Sequence, residues 1–464
     1  MPPRTLRSNV EVHLTTGIPR ESLSQSFKDA ITVTKHLGYR YLWIDSLCII
    51  QDDDRDWERE CGRMADVYGN ADLVIAATSA ADGSCGFLGP RLDYFEGALR
   101  LEGPRGPNQM TWTVSYRSSL PHNPWLINQE AFRPADEGPL ESRAWAYQER
   151  VMARRYVSFG RHELCWECTT MLECECCSIQ GCRDDSGTLT LRKRVLAPRK
   201  YNLRRKLAQT LTTSLLLSAW RQNTVEPYSR RKLYKASDRL MAISASAAAF
   251  SEKVNGRYLA GIWSEDLRNG GLYWYTTEVS TRVEYGAPSW SWASVTGGVT
   301  HLRRRKLKLD WGLSPEVLNI DYAAPPENRF GCPTYAAITL RGNAIHGVKL
   351  IYKPKSGFDI QLPAGHTSDL FVDTELEPIR VSEKGENPII SARRRRHIVD
   401  SVTESDDERD QLFEGLCCLS LATPVAMVLG LVSLKPRQYE RIGLCVLELR
   451  RNINPWKQIE VTLI

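Results

Sequence analysis

Between Ser22 and Ala77 the apolar residues change their spacing in a regular alternation, and no other feature restricts the fold of this chain as much. Leu23, Phe27, Ala30, Ile31, Thr34 and Leu37 recur at helical intervals behind a capping-box candidate, Ser22-Leu-Ser-Gln25, until Gly38 stops the run. Tyr41-Leu-Trp-Ile44 is then continuously apolar, as expected of a strand buried on both faces, and it ends at Asp45. A second helix from about Asp54 puts Trp57, Cys61, Met64 and Tyr68 on one face, and Leu73-Val-Ile-Ala-Ala77 reads as the next strand. Helix, strand, helix, strand at this spacing predicts a parallel α/β sheet with Asp45 at its carboxyl edge, where open α/β sheets bind ligands.

The rest of the chain is less regular. Residues 81–138 are rich in Gly, Pro and charge and read as loops, with one strand near Met110 to Val114. Ser142 to Arg150 reads as a short helix, followed by two strands, Tyr156-Val-Ser-Phe159 and Glu163-Leu-Cys-Trp166, around a Gly160-Arg161 turn. This gives an N-terminal α/β domain over 1–182, a basic linker over 183–230 and a mixed, strand-rich α+β region over 231–464. In the last region Leu233 to Phe250 reads as helical, the segment from Ala287 as short strands and turns, and 375–410 as a flexible insertion. Leu416 to Leu434 is 19 residues without a charge, but Pro424 interrupts it, so it reads as two buried strands rather than a membrane span.

Composition narrows the class. With 464 residues, 42% apolar and 25% charged, the chain is long enough for several domains with cores of their own, and a disordered or fibrous chain is excluded. The start, Met1-Pro-Pro-Arg-Thr-Leu-Arg-Ser8, has no apolar signal region, so the 13 cysteines are expected as reduced thiols in a cytoplasmic protein. The net charge of +6 is concentrated in runs such as Arg192-Lys193-Arg194, Arg204-Arg205-Lys206, Arg303 to Lys306 and Arg393 to Arg396. Neither aromatic interleaving nor zinc-finger spacing accompanies them, so a nucleic-acid partner is not expected.

Three blocks then carry a resemblance. Tyr41-Leu-Trp-Ile-Asp-Ser-Leu-Cys-Ile-Ile-Gln51, Met64 with Val67-Tyr68 and Ala71, and Arg143-Ala-Trp-Ala-Tyr-Gln-Glu149 together resemble the fungal heterokaryon incompatibility (HET) domain. Tyr228-Ser229, Asp238-Arg-Leu240, Ala260-Gly-Ile-Trp263, Pro288-Ser-Trp-Ser-Trp-Ala-Ser294 and Tyr439-Glu-Arg-Ile-Gly443 resemble the C-terminal region that accompanies many such domains. The resemblance implies non-self recognition and regulated cell death. It also implies a flavodoxin-like fold similar to Toll-receptor-type (TIR) domains, some of which cleave NAD. Family members open with a strand resembling Ala-Leu-Ser-Tyr-x-Trp-Gly, and nothing in residues 1–21 matches it. In a 2-1-3-4-5 sheet that strand is central. Either Asn9-Val-Glu-Val-His-Leu14 fills the position or the chain is a shortened copy.

The resemblance implies a catalytic Glu149, with Asp45 as its companion and Arg143, Trp145, Gln148 and Gln51 as ligand-binding residues for NAD as substrate. One carboxylate suffices for that chemistry: nicotinamide leaves as a neutral group, and a carboxylate at the ribose stabilises the oxocarbenium-like transition state. The alternatives are structural. Glu149 would pair with Arg143 or Arg150, and Asp45 would accept backbone N–H bonds or pair with Arg143. A non-enzymatic module that signals by self-association or by binding a protein partner is the rival function. Asp52-Asp-Asp54 and Asp56 read as helix N-terminal charges rather than cation ligands. Cys165, Cys168, Cys174, Cys176, Cys177 and Cys182 put six thiols in 18 residues, but only one C-x-x-C pair, so zinc is the weaker reading of the cluster and a zinc-stabilised binding protein the third function. Cys48 reads as a small buried hydrophobe, and Trp290 and Trp292 as core residues of a strand.

Overall fold

A computed structural model describes residues 3–90, 96–102, 111–117, 138–168, 172–175 and 212–276, most of 278–302, 314–353 and 357–380, and then 390–394, 414–422, 425–431, 438–447 and 456–464. The chain divides into two compact units, Met1–Asn202 and Leu203–Ile464.

The first unit contains helices α1 (Val10–Thr15), α2 (Gln25–His36), α3 (Asp45–Cys48), α4 (Asp54–Asn70) and α5 (Ala144–Met152). Its strands are β1 (Val74–Ala76), β2 (Glu96–Glu102), β3 (Thr111–Arg117), β4 (Arg155–Phe159), β5 (Leu164–Cys168) and β6 (Leu172–Cys174). β1, β4, β5 and β6 form a sheet in that order, and only β1 and β4 run parallel. The β4–β5 turn is too short for a crossover and forces antiparallel pairing: the Gly160 amide donates to the Glu163 carbonyl at 3.0 Å. The sheet is therefore four-stranded and mixed, and a flavodoxin-like parallel order is not formed among the described residues.

The departure has a local cause. Tyr41 to Ile44 is not a strand; Tyr41 is 85% exposed, and the chain turns directly into α3 at Asp45. An apolar run becomes a doubly buried strand only where neighbouring strands satisfy both of its edges, and no described strand pairs with it. Asn9 to Leu14 does not supply one, because Val10–Thr15 coils into a helix with no buried residue. α2 also begins later than expected, at Gln25. Ser22 lies in a preceding 3-10 turn with its hydroxyl donating to the Pro19 carbonyl, so no capping box forms. By contrast α4 starts where Asp53 accepts from the Arg55 and Asp56 amides, at 3.1 and 3.2 Å.

In the second unit the described part of Leu416 to Leu434 gives two antiparallel strands. With Tyr335–His346 labelled β7, Glu414–Ala422 is β8, Val425–Leu431 β9, Gln438–Val446 β10 and Lys457–Leu463 β11. β7 to β10 are antiparallel neighbours, and β11 pairs with both β7 and β10, so the five strands close on one another. Among the described residues no helix is long and apolar enough to cross a membrane.

Five tryptophans, Trp220, Trp263, Trp274, Trp290 and Trp292, are fully buried beside them. Trp290 and Trp292 are core residues as expected, but Pro288 to Ser294 is a turn and a 3-10 helix rather than a strand. Ser291 bonds locally and so competes with a ladder, its Oγ accepting from the Ala293 amide at 3.0 Å, while Ser289 Oγ accepts from the distant Arg441 amide at 3.1 Å. Arg441 is itself fully buried, donating to Asp373 at 2.8 Å and lying 3.7 Å over the Trp274 ring. Leu233 to Phe250 is likewise broken, into 3-10 turns and a helix over Ser244–Ser251, with Leu240, Ile243 and Ala247 buried. Within 375–410, Leu376–Arg380 and Ile390–Arg394 form an antiparallel pair, and the rest of that interval lies outside the described residues. Of the 183–230 linker, residues 183–211 lie outside the described ones, and the remainder includes the helical segments Thr213–Ala219 and Glu226–Ser229.

Candidate functional site

Helix α5 is fixed to the sheet by a buried ionic cluster. Arg150 bonds Glu167 on β5 at 2.8 Å and Glu141 at 3.2 Å, and the Tyr156 hydroxyl donates to Glu141 at 2.7 Å. The Arg150 guanidinium also lies 5.6 Å over the Tyr156 ring. Its charge is therefore matched by two carboxylates other than Glu149, so one structural alternative for Glu149, pairing with Arg150, is not what forms.

Glu149 is partly buried, and its carboxyl is pushed up to about 7, first by desolvation and then by the negative charge of Asp45. Arg143 and the Tyr68 hydroxyl, which hydrogen-bonds the carboxylate, pull the value back without cancelling the rise. The Tyr68 hydroxyl is in turn raised well above its ordinary value by burial and by Glu149 and Asp45. Four groups from three helices and one helix entrance thus act on each other: Glu149 of α5, Tyr68 of α4, Asp45 of α3 and Arg143, the residue before α5. Two edge-to-face aromatic pairs set the spacing of these elements, Trp43 with Tyr68 at 5.7 Å and Trp57 with Trp145 at 6.1 Å.

The residues singled out from sequence divide accordingly. Asp45 and Arg143 are exposed and adjoin Glu149. Asp45 comes from the first turn of α3 rather than a strand end, and its carboxylate accepts from the Ser46 amide at 2.7 Å. Trp145 is partly buried against Trp57. Gln148 is buried in α5. The Gln51 side-chain Nε2 donates to the Ile49 and Asp45 carbonyls at 3.0 and 3.3 Å, which braces the α3 turn. Tyr68 is the residue that sequence reading missed as a site group. Its position on the apolar face of α4 concealed it; the signal was a hydroxyl at the end of an otherwise apolar stripe.

Other readings resolve on the same scale. Asp52 accepts from the Arg7 amide at 2.8 Å and Asp56 from the Ile50 amide at 2.8 Å, so with the Asp53 cap these carboxylates secure the start of α4. Cys48 is exposed rather than buried, and its thiol is raised, by desolvation and then by Asp45 and Glu60 against a backbone bond at Ile44, the opposite of an activated nucleophile. Cys165 and Cys168 sit three apart on β5 and so face opposite sides of the sheet, which does not suit a shared ion. Cys176, Cys177 and Cys182 lie outside the described residues. Among the described residues no group of His, Cys, Asp and Glu is arranged to hold a metal ion.

The first unit is thus an α/β domain in which one carboxyl group is held near neutrality by burial and a neighbouring carboxylate. The sequence model described as Heterokaryon incompatibility protein (HET) matches residues 3–149, an interval that contains Asp45, Tyr68 and Arg143 and ends at Glu149. Residues 3–149 are thus similar to a HET domain, which supports a function of heterokaryon-incompatibility type in general. Comparison with curated proteins and with solved structures returns no match.

Proposed function

We propose that this protein acts in the cytoplasm of a fungus in non-self recognition and regulated cell death, and that it does so by cleaving NAD at Glu149. The observation that carries the reading is the pairing of two like-charged carboxyls, one of them raised to about 7, beside an exposed arginine. In its anionic form Glu149 holds the ribose hydroxyls and stabilises positive charge developing at the anomeric carbon as nicotinamide departs. Arg143 receives the diphosphate, and Tyr68 orients the carboxylate. Asp45 adds negative charge where the transition state is cationic. Incubating the purified full chain with NAD should release nicotinamide. Glu149→Ala should abolish the release and leave the circular dichroism spectrum unchanged; equal release by the variant would overturn the assignment.

A second reading has its own support. Val12, Leu14, Leu37, Tyr39 and Tyr41 are exposed large apolar side chains within one short stretch of the HET-like domain. They suit self-association, and a non-enzymatic domain would then signal by assembly alone. In that case no nicotinamide is released, and Glu149→Ala leaves the sedimentation behaviour of the protein as it is.

A further inference from the structure

Cys165 of β5 and Cys174 of β6 are register partners on adjacent antiparallel strands, so their side chains lie on the same face of the sheet. The ladder also defines which kind of pair they form. At the neighbouring position the Glu175 amide donates to the Leu164 carbonyl at 3.2 Å, while the Leu164 amide is taken by the Glu175 carboxylate at 2.9 Å. Bonded and non-bonded pairs alternate along an antiparallel ladder, so Cys165 and Cys174 occupy a non-hydrogen-bonded pair. Cα atoms in such a pair are about 4.5 Å apart and Cβ atoms about 4.5–5.5 Å, next to the 4.4–6.8 Å Cα and 3.5–4.5 Å Cβ separations of a disulfide.

We infer that Cys165 and Cys174 form a reversible redox pair that closes to a cross-strand disulfide. Cys168 is excluded from the pair because it is on the other face of β5. Cys165 is the more accessible of the two, Cys174 being only 6% exposed, and so reacts first. With a small-molecule disulfide such as oxidised glutathione as the oxidant, the Cys165 thiolate attacks one glutathione sulfur and expels the other as a thiolate. The Cys174 thiolate then attacks the Cys165 sulfur and expels the second glutathione. One S–S bond breaks and one forms, two electrons pass to glutathione, and the two protein thiol protons end on the two glutathione thiols. The bridge would staple β6 to β5, the strand whose Glu167 anchors Arg150 one residue from Glu149.

Peptide mapping tests this. The full-length protein is equilibrated in glutathione redox buffers, quenched with acid, alkylated, and cut on the C-terminal side of glutamate, which separates Leu164–Glu167 from Cys174–Glu175. The oxidised protein should yield these two fragments joined by a bond lost on reduction, and Cys168→Ser should yield them equally. Cys174→Ser should instead retain glutathione on Cys165. The same buffers applied to the urea-unfolded chain should scatter the pairing over the six cysteines of 165–182. Alkylation of both residues in the most oxidising buffer, linkage of Cys165 to Cys168, Cys176, Cys177 or Cys182, or a native pattern equal to the unfolded one would overturn the inference. The wild-type map decides the matter even if the serine variants do not fold.

Discussion

At the scale of single residues the informative feature is the cost of Glu149. A carboxyl raised from 4.5 to about 7 is bound to a proton in the folded chain across a pH window where the unfolded chain has lost it. Folding stability therefore falls as pH rises from about 4.5 to about 7, and the full penalty persists above that. Glu149→Gln removes the penalty and should stabilise the protein at pH 8 by about 1–3 kcal/mol, with little change at pH 4.5. Thermal unfolding at the two pH values measures it. Destabilisation at pH 8 would favour a structural ion pair between Glu149 and Arg143. Asp45, Arg143 and Glu149 could be brought together from the sequence blocks that contain them. Tyr68 lies in such a block too but is not legible as a site group, because a tyrosine at helical spacing with Trp57, Cys61 and Met64 has the signature of core packing, and only the orientation of its hydroxyl distinguishes it.

At the scale of elements, local chemistry was legible and non-local pairing was not. α4 could be placed from an acidic cap and an amphipathic face, and β4 and β5 from a Gly-containing turn between apolar runs. Tyr41 to Ile44 looked like a strand by the same logic, but whether an apolar run is paired depends on segments far away in sequence. The hairpin Tyr258–Leu259 with Ile262–Trp263 shows the same limit in a turn. Its two central residues, Ala260 and Gly261, both have positive φ, 45° and 95°, the geometry of a tight two-residue connection usually signalled by Asn-Gly or Asp-Gly. Gly261 is required there for a second reason. A Cβ would stand 2.5 Å from Nε1 of Trp292, and the Gly261 carbonyl accepts from the indoles of both Trp220 and Trp292 at 3.0 Å. Gly261→Ala should cost about 2–4 kcal/mol, from overpacking against a buried ring and from the left-handed backbone. Urea denaturation would read the loss, and a change within about 0.5 kcal/mol would contradict this packing.

At the scale of the whole molecule, the chain forms two compact units. The C-terminal unit is a tryptophan-rich core with a closed five-stranded ring. Its closure depends on β11 returning to β7 and β10, a pairing that no local sequence signal announces. The HET-like domain holds the charged cluster, and the proposed activity makes a demand on it that a purely structural cluster does not. Only anionic Glu149 can stabilise the departing nicotinamide's positive partner, so the rate should follow deprotonation of that one group. The most direct measurement is nicotinamide release from NAD by the full chain between pH 5 and 9, at NAD well below KM, where the rate follows ionisation of the free protein. The account predicts a rate that climbs with pH, reaches half its plateau near 7 and is lost in Glu149→Gln. A rate independent of pH, or one that survives the substitution, would contradict it.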